Sequence, residues 1–147
     1  MKRTNILQTQ PDAYKAIMAL ENFVISSEIE PLHKELIKLR SSQINGCAYC
    51  LDMHSRDARK LGETEQRIYT LSAWRDTPFF DEKEQAILAL TEQVTLISKG
   101  GVSDDTYNTA VELLGAKYAG QVIIAIITIN SWNRIAISSH FQPALEK

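Results

Sequence analysis

The chain carries only two cysteines in 147 residues, with four prolines, six glycines and no surplus of charge of one sign. The net charge of -2 and a pI near 5.9 give no pull on polyanions. No cluster of Lys and Arg interleaved with aromatics appears either, so a nucleic-acid partner is not expected. No apolar stretch follows Lys2 and Arg3, which argues against a secretory signal. The most apolar segment, VIIAIITI at 122–129, is too short for a bilayer span and is interrupted by Asn130 and Arg134. Repeats, linkers and low-complexity tracts are absent. What remains is a soluble, cytoplasmic protein of one domain, 1–147, long enough to bury a core.

Strand-like alternation is not sustained anywhere, and the chain reads as consecutive helices. A first helix starts after Pro11 and runs through DAYKAIMALENFVISSEI. Pro31 opens a second, PLHKELIKLRSSQI, since proline suits a first helical turn. Leu32, Leu36, Leu39 and Gln43 share one face of it, with Glu35 at the border. Asn45-Gly46 is turn chemistry. A third helix spans about Ala48 to Leu61 and stops at Gly62. Thr64 caps a fourth, TEQRIYTLSAW. Asp81 with Glu84 forms a capping-box variant for DEKEQAILALTEQVTLI. Gly100-Gly101 ends that helix, and Ser103 caps a sixth through Leu114. The last segment, about Ala116 to Ser139, is rich in β-branched residues, yet no partner strand exists for it. An all-round apolar segment fits a central buried helix, so the fold class is all-α.

Both cysteines and one of the three histidines fall within eight residues, CAYCLDMH at 47–54. By counting, two cysteines placed at random would sit three apart only about once in 75 trials, which favours a CxxC signature over coincidence. A cytosol keeps thiols reduced, so a working thiol pair is expected there before a structural disulfide. At 100° per residue, Cys47, Cys50, Leu51, His54, Ala58 and Leu61 form one stripe of the third helix, and Tyr49 points away from it. Cys47 and Cys50 are an i, i+3 pair, and Cys50 and His54 an i, i+4 pair. The turn at Asn45-Gly46 puts the dithiol at a helix N-terminus, where such placement lowers a thiol pKa from ~8.5 toward roughly 3.5–7.5. Three readings stand: a redox dithiol, part of a zinc site, or buried small residues. Zinc needs three or four ligands. Cys47, Cys50 and His54, with Glu35 or His33, would supply them from mostly one short helix, and no second CxxC or HxxxH exists. No metal and no cofactor are expected.

A glutamate, a CxxC twelve positions later and a histidine four residues on (Glu35, Cys47, Cys50 and His54) together resemble the signature of AhpD-like alkylhydroperoxidases of the carboxymuconolactone decarboxylase superfamily. The segments LSAWRDTPFFDEKEQAILALTE and INSWNRIAIS, at 71–92 and 129–138, are similar to later blocks of that family. The resemblance implies an AhpD-like helical bundle assembled as trimers or hexamers, and thiol peroxidase chemistry without metal or haem. It carries a proton relay onto Glu35, Cys47, Cys50 and His54. It also implies a peroxide substrate and an outside dithiol reductant, in some members a lipoyl group on a carrier protein. One position departs: Tyr49 stands where better-studied members have a second histidine. In the mechanism this implies, Glu35 acts as base through water or His54, Cys50 attacks peroxide, and Cys47 resolves. The position of Cys47 nearer the helix start gives it a competing claim to the lower pKa.

A decarboxylase-type enzyme and a non-enzymatic redox sensor are the competing functions. The CxxC argues against the first, because that branch generally does without it. Outside the motif, Asn130 and Arg134 form an i, i+4 pair best read as a structural polar network, with an oligomer contact or substrate-orienting role as alternatives. Trp74 and Trp132 are expected as core or interface anchors, and His33 and His140 as surface residues.

Overall fold

A computed structural model describes residues 2–147. Among them the chain forms eight α-helices, one 3₁₀ segment and no strand. The helices are α1 (Ile6–Thr9), α2 (Pro11–Ser26), α3 (Pro31–Asn45), α4 (Ala48–Lys60), α5 (Glu65–Thr70), α6 (Glu82–Thr95), α7 (Asp104–Leu114) and α8 (Ala116–Ser138). The 3₁₀ segment, Leu71–Asp76, lies between α5 and α6.

Local chemistry sets most of the boundaries. Pro11 and Pro31 occupy the first turns of α2 and α3, where a missing N–H costs nothing. Gly46, at φ 71°, closes α3 in the left-handed region that a side chain would resist. Asp81 and Glu84 make the reciprocal capping box of α6, and Thr64 and Ser103 cap α5 and α7 through their hydroxyls. The expected helix from Thr64 to Trp74 is divided, because Ala73 leaves helical geometry (φ -120°, ψ 32°) and the chain tightens into 3₁₀ turns. The first long helix stops at Ser26 rather than Ile29. Ser27 turns extended, and Ile29 is instead buried in the core.

The β-branched run 122–129 is helical and central. α8 packs against α2, α3, α6 and α7. Its buried face presents Val122, Ala125, Ile126 and Ile129 to Val24, Ile37, Ile87 and Leu90. The opposite face of α3 turns Leu36 and Leu39 into a second cluster with Leu71, Trp74, Phe80 and Leu88. Each fully buried Leu or Ile of this kind stabilises by about 1.5–3 kcal/mol. No helix is long and apolar enough to cross a membrane among the described residues.

Two further sequence expectations, about His33 and Leu61, need correction. His33 is buried, not superficial: its Nδ1 lies 2.7 Å from the hydroxyl of Tyr118, a residue of α8 far away in sequence. Leu61 leaves the stripe of α4 and is exposed, because it forms the C-cap where the helix unwinds toward Gly62. His140 is exposed as expected.

Trp74 is a core anchor with a polar handle. Its indole N–H donates to Glu92 Oε1 at 2.9 Å, while Arg40 donates to Oε2 at 3.1 Å and Arg75 also pairs with the carboxylate. Burial opposes the charged form of Glu92, but hydrogen bonds from Arg75, Arg40 and Trp74 outweigh it and hold the carboxyl below its ordinary value of 4.5. A depressed carboxyl stabilises the fold above the unfolded value and loses that stabilisation as pH falls through the folded one. Replacing Glu92 with Gln is therefore expected to cost about 1–3 kcal/mol at neutral pH. The gap to the parent should shrink below pH 4.5, measured by urea unfolding across pH.

Candidate active site

The start of α4 is built from the sulfur outward. Cys47 is its N-cap, and its Sγ accepts a hydrogen bond from the Cys50 backbone N–H at 3.3 Å. Cys47 and Cys50 are joined by a disulfide, with Cα atoms 5.3 Å apart. Both are almost completely buried and pack with Ala136 of α8 and with Phe141 just beyond it. With both sulfurs bonded to each other, the zinc set built on Cys47 and Cys50 has no thiolate to offer in this state.

One turn further along α4, His54 is buried and faces α3. Its Nδ1 lies 3.3 Å from Glu35 Oε2 and 3.9 Å from Asp57 Oδ2. Glu35 is buried, at 7% exposure, and its other oxygen, Oε1, lies 3.6 Å from Lys38 Nζ. Lys38 is shared with Glu21 of α2, also at 3.6 Å. The fold thus brings Glu35, Cys47, Cys50 and His54 to one junction of α3, α4 and α8.

Cys50 and His54 open on a pocket of about 350 Å³. Its apolar walls include Tyr14, Met53, Ile129, Trp132 and Phe141; Lys38 and Glu21 form its polar end. Cys47 does not line it. Tyr49 is placed as the helical wheel requires, off the buried stripe and more than one-third exposed. Its ring nevertheless reaches the pocket mouth and packs edge-on against Phe141 with centroids 5.6 Å apart. Trp132 packs on the edge of the main core cluster, as expected of an anchor, and also forms a pocket wall, donating its indole N–H to Glu21 at 3.1 Å. Tyr14, Glu21 and Phe141 went unnoticed in the sequence. Lys38 carried a local signal, at i+3 from Glu35.

A polar spine supports the turn before Cys47. Asn45 donates to Asn130 and Asn133 of α8 at 2.9 and 3.0 Å, and the wholly buried Asn133 donates to Ser42 at 3.0 Å. Arg134 adds a bond to Asn130 Oδ1 at 2.9 Å from the exposed side. The Asn130–Arg134 pair is thus part of a satisfied network. That network ties the cysteine turn to the central helix.

The model of the carboxymuconolactone decarboxylase family matches residues 11–93, a span from α2 into α6 that includes all four motif residues. The chain is 43% identical over 137 residues to the uncharacterised protein YdfG of Bacillus subtilis, covering 93% of each. Among solved structures, it resembles a protein of unknown function from Agrobacterium tumefaciens, described as a candidate antioxidant defence protein AhpD. That likeness has a TM-score of 0.94 at 42% identity, over 99% of this chain and 100% of the other. The fold alone extends to the debrominase Bmp8, solved in complex with 2,3,4-tribromopyrrole, at a TM-score of 0.81 and 20% identity over 95% and 76% of the two chains. With its all-helical fold, its CxxC pair and a family model matching more than half its length, the chain belongs to the carboxymuconolactone decarboxylase family, on the AhpD-like side of it.

Proposed function

We propose that the chain is a dithiol peroxidase that reduces hydrogen peroxide or organic hydroperoxides and is itself re-reduced by an outside dithiol. The observation that carries this reading is the Cys47–Cys50 disulfide at a helix start whose pocket-facing sulfur, Cys50, shares its cavity with His54. In the reduced protein, His54 takes the Cys50 thiol proton, with Glu35 balancing the imidazolium charge from 3.3 Å. The Cys50 thiolate attacks the terminal peroxide oxygen. The O–O bond breaks, the leaving alkoxide or hydroxide takes a proton, and Cys50 becomes a sulfenic acid. Cys47 then displaces hydroxide, released as water, to form the disulfide.

Cys50 is assigned the attacking role because it faces the pocket and Cys47 does not. Cys47 suits the resolving and leaving roles: its sulfur receives the Cys50 backbone N–H, which steadies a thiolate when an outside dithiol attacks Cys50. The apolar walls favour a reductant or hydroperoxide with a hydrocarbon body, and a lipoyl group on a carrier protein has that chemistry. A dihydrolipoyl-carrier assay monitoring loss of cumene hydroperoxide tests turnover. Consumption that depends on both the dithiol and the protein is expected, and one oxidation without re-reduction would favour a redox sensor.

Assembly belongs to the same proposal. α8 leaves Ile127 and Ile137 more than two-fifths exposed, and α2 leaves Phe23 exposed as well. A second copy covering such faces gives a homo-oligomer, a trimer or hexamer on the family pattern. Sedimentation at low micromolar concentration is expected to show no monomer boundary.

A further inference from the structure

Three side chains converge at His54, and their unused atoms point at one another. Glu35 gives Oε1 to Lys38 at 3.6 Å, and Asp57 gives Oδ1 to Lys60 at 3.8 Å. The opposite oxygen of each, Oε2 and Oδ2, is the one turned toward His54 Nδ1, at 3.3 and 3.9 Å. All three ligand atoms lie within 4.8 Å of one another. Glu35 Oε2 and His54 Nδ1 are each buried and each without a hydrogen-bond partner, despite their short separation. Both residues are more than nine-tenths buried. At 3.3 Å the two pair electrostatically without the alignment of a hydrogen bond, which leaves both atoms open to a shared partner.

We infer that Glu35, His54 and Asp57 form a three-ligand site for a divalent cation of the zinc class. One edge of the site already matches a tetrahedral centre. Zinc–nitrogen and zinc–oxygen bonds of about 2.0–2.1 Å place neighbouring ligand atoms about 3.3 Å apart along a tetrahedral edge. The Glu35–His54 edge already has that length, and a movement of the half-exposed Asp57 must close the other two, 3.9 Å to His54 and up to 4.8 Å to Glu35. One imidazole and two carboxylates suit zinc, and a water would fill the fourth position. Lys38 and Lys60 face the far oxygens at 3.6 and 3.8 Å, which leaves the near ones turned to the site. It keeps His54 and Glu35 from the set built on the cysteines but puts Asp57 in place of both sulfurs, so it is present with the disulfide closed. Resting on the peroxidase reading, it adds a consequence: a cation holding Oε2 and Nδ1 occupies the two atoms the proton relay uses.

The test uses the oxidised full-length protein, whose bonded sulfurs cannot ligate, titrated with zinc sulfate by calorimetry. One zinc per chain is expected. Asp57→Asn, which alters a half-exposed residue outside the proposed relay, should weaken binding at least about ten-fold. Zinc should also move the ¹⁵N resonance of His54 Nδ1 in the parent protein. Absence of zinc binding by the oxidised parent, or equal affinity in Asp57→Asn, would overturn the site. Peroxide reactivity plays no part in these readouts, so the site and the peroxidase reading fail separately.

Discussion

Replacement of Cys50 by Ser is expected to lower the second-order rate constant with hydrogen peroxide by at least about a thousand-fold, the scale of losing a nucleophile. Replacement of Cys47 by Ser should leave a protein that still reacts once. The asymmetry follows from placement: Cys50 lines the pocket beside His54, whereas Cys47 caps the helix and does not line it. With Cys47 gone, the sulfenic acid at Cys50 has no resolving partner, and a dimedone-type probe should accumulate there as seen by mass spectrometry. Label confined to Cys47 in the Cys50→Ser protein would exchange the two roles while leaving the dithiol chemistry in place.

Conversion of Glu35 to Gln, or of His54 to Ala, is expected to slow the same reaction by about 10²-fold, the lower range of general acid–base contributions. Glu35→Gln keeps the shape of the side chain while removing the charge 3.3 Å from the imidazole. The pH midpoint for alkylation of Cys50 should rise in both variants. Helical content by circular dichroism should stay near that of the parent, since the apolar clusters are built by Leu36, Leu39, Ile37 and their partners rather than by these two residues. Peroxide rates unchanged in Glu35→Gln would mean that the relay does not operate, and a slow redox sensor would then describe the dithiol better.

The sequence made the helical frame legible wherever a boundary had its own chemistry. Pro31, Asp81 with Glu84, Thr64 and Ser103 all mark real helix starts. It missed α1, a four-residue helix capped by Asn5, which is too short to show a period. It also missed the 3₁₀ segment, which depends on a backbone departure at Ala73 that no residue type announces. The motif was readable because i, i+3 and i, i+4 spacing puts Cys47, Cys50 and His54 on one helix face. The pocket was not, because Tyr14, Trp132 and Phe141 arrive from α2, α8 and the segment after α8. His33 failed for the same reason, since a tyrosine from α8 buries it. Local spacing reveals which side chains stand together on an element, whereas tertiary packing decides what covers them.

Single-turnover stopped-flow of the fully reduced protein with hydrogen peroxide and with an organic hydroperoxide, followed by thiol counting and intact mass, tests the dithiol chemistry most directly. One equivalent of peroxide should consume both thiols, lower the mass by two hydrogens and close the Cys47–Cys50 bond. Both thiols still free and the mass unchanged, after exposure to either peroxide, would contradict it.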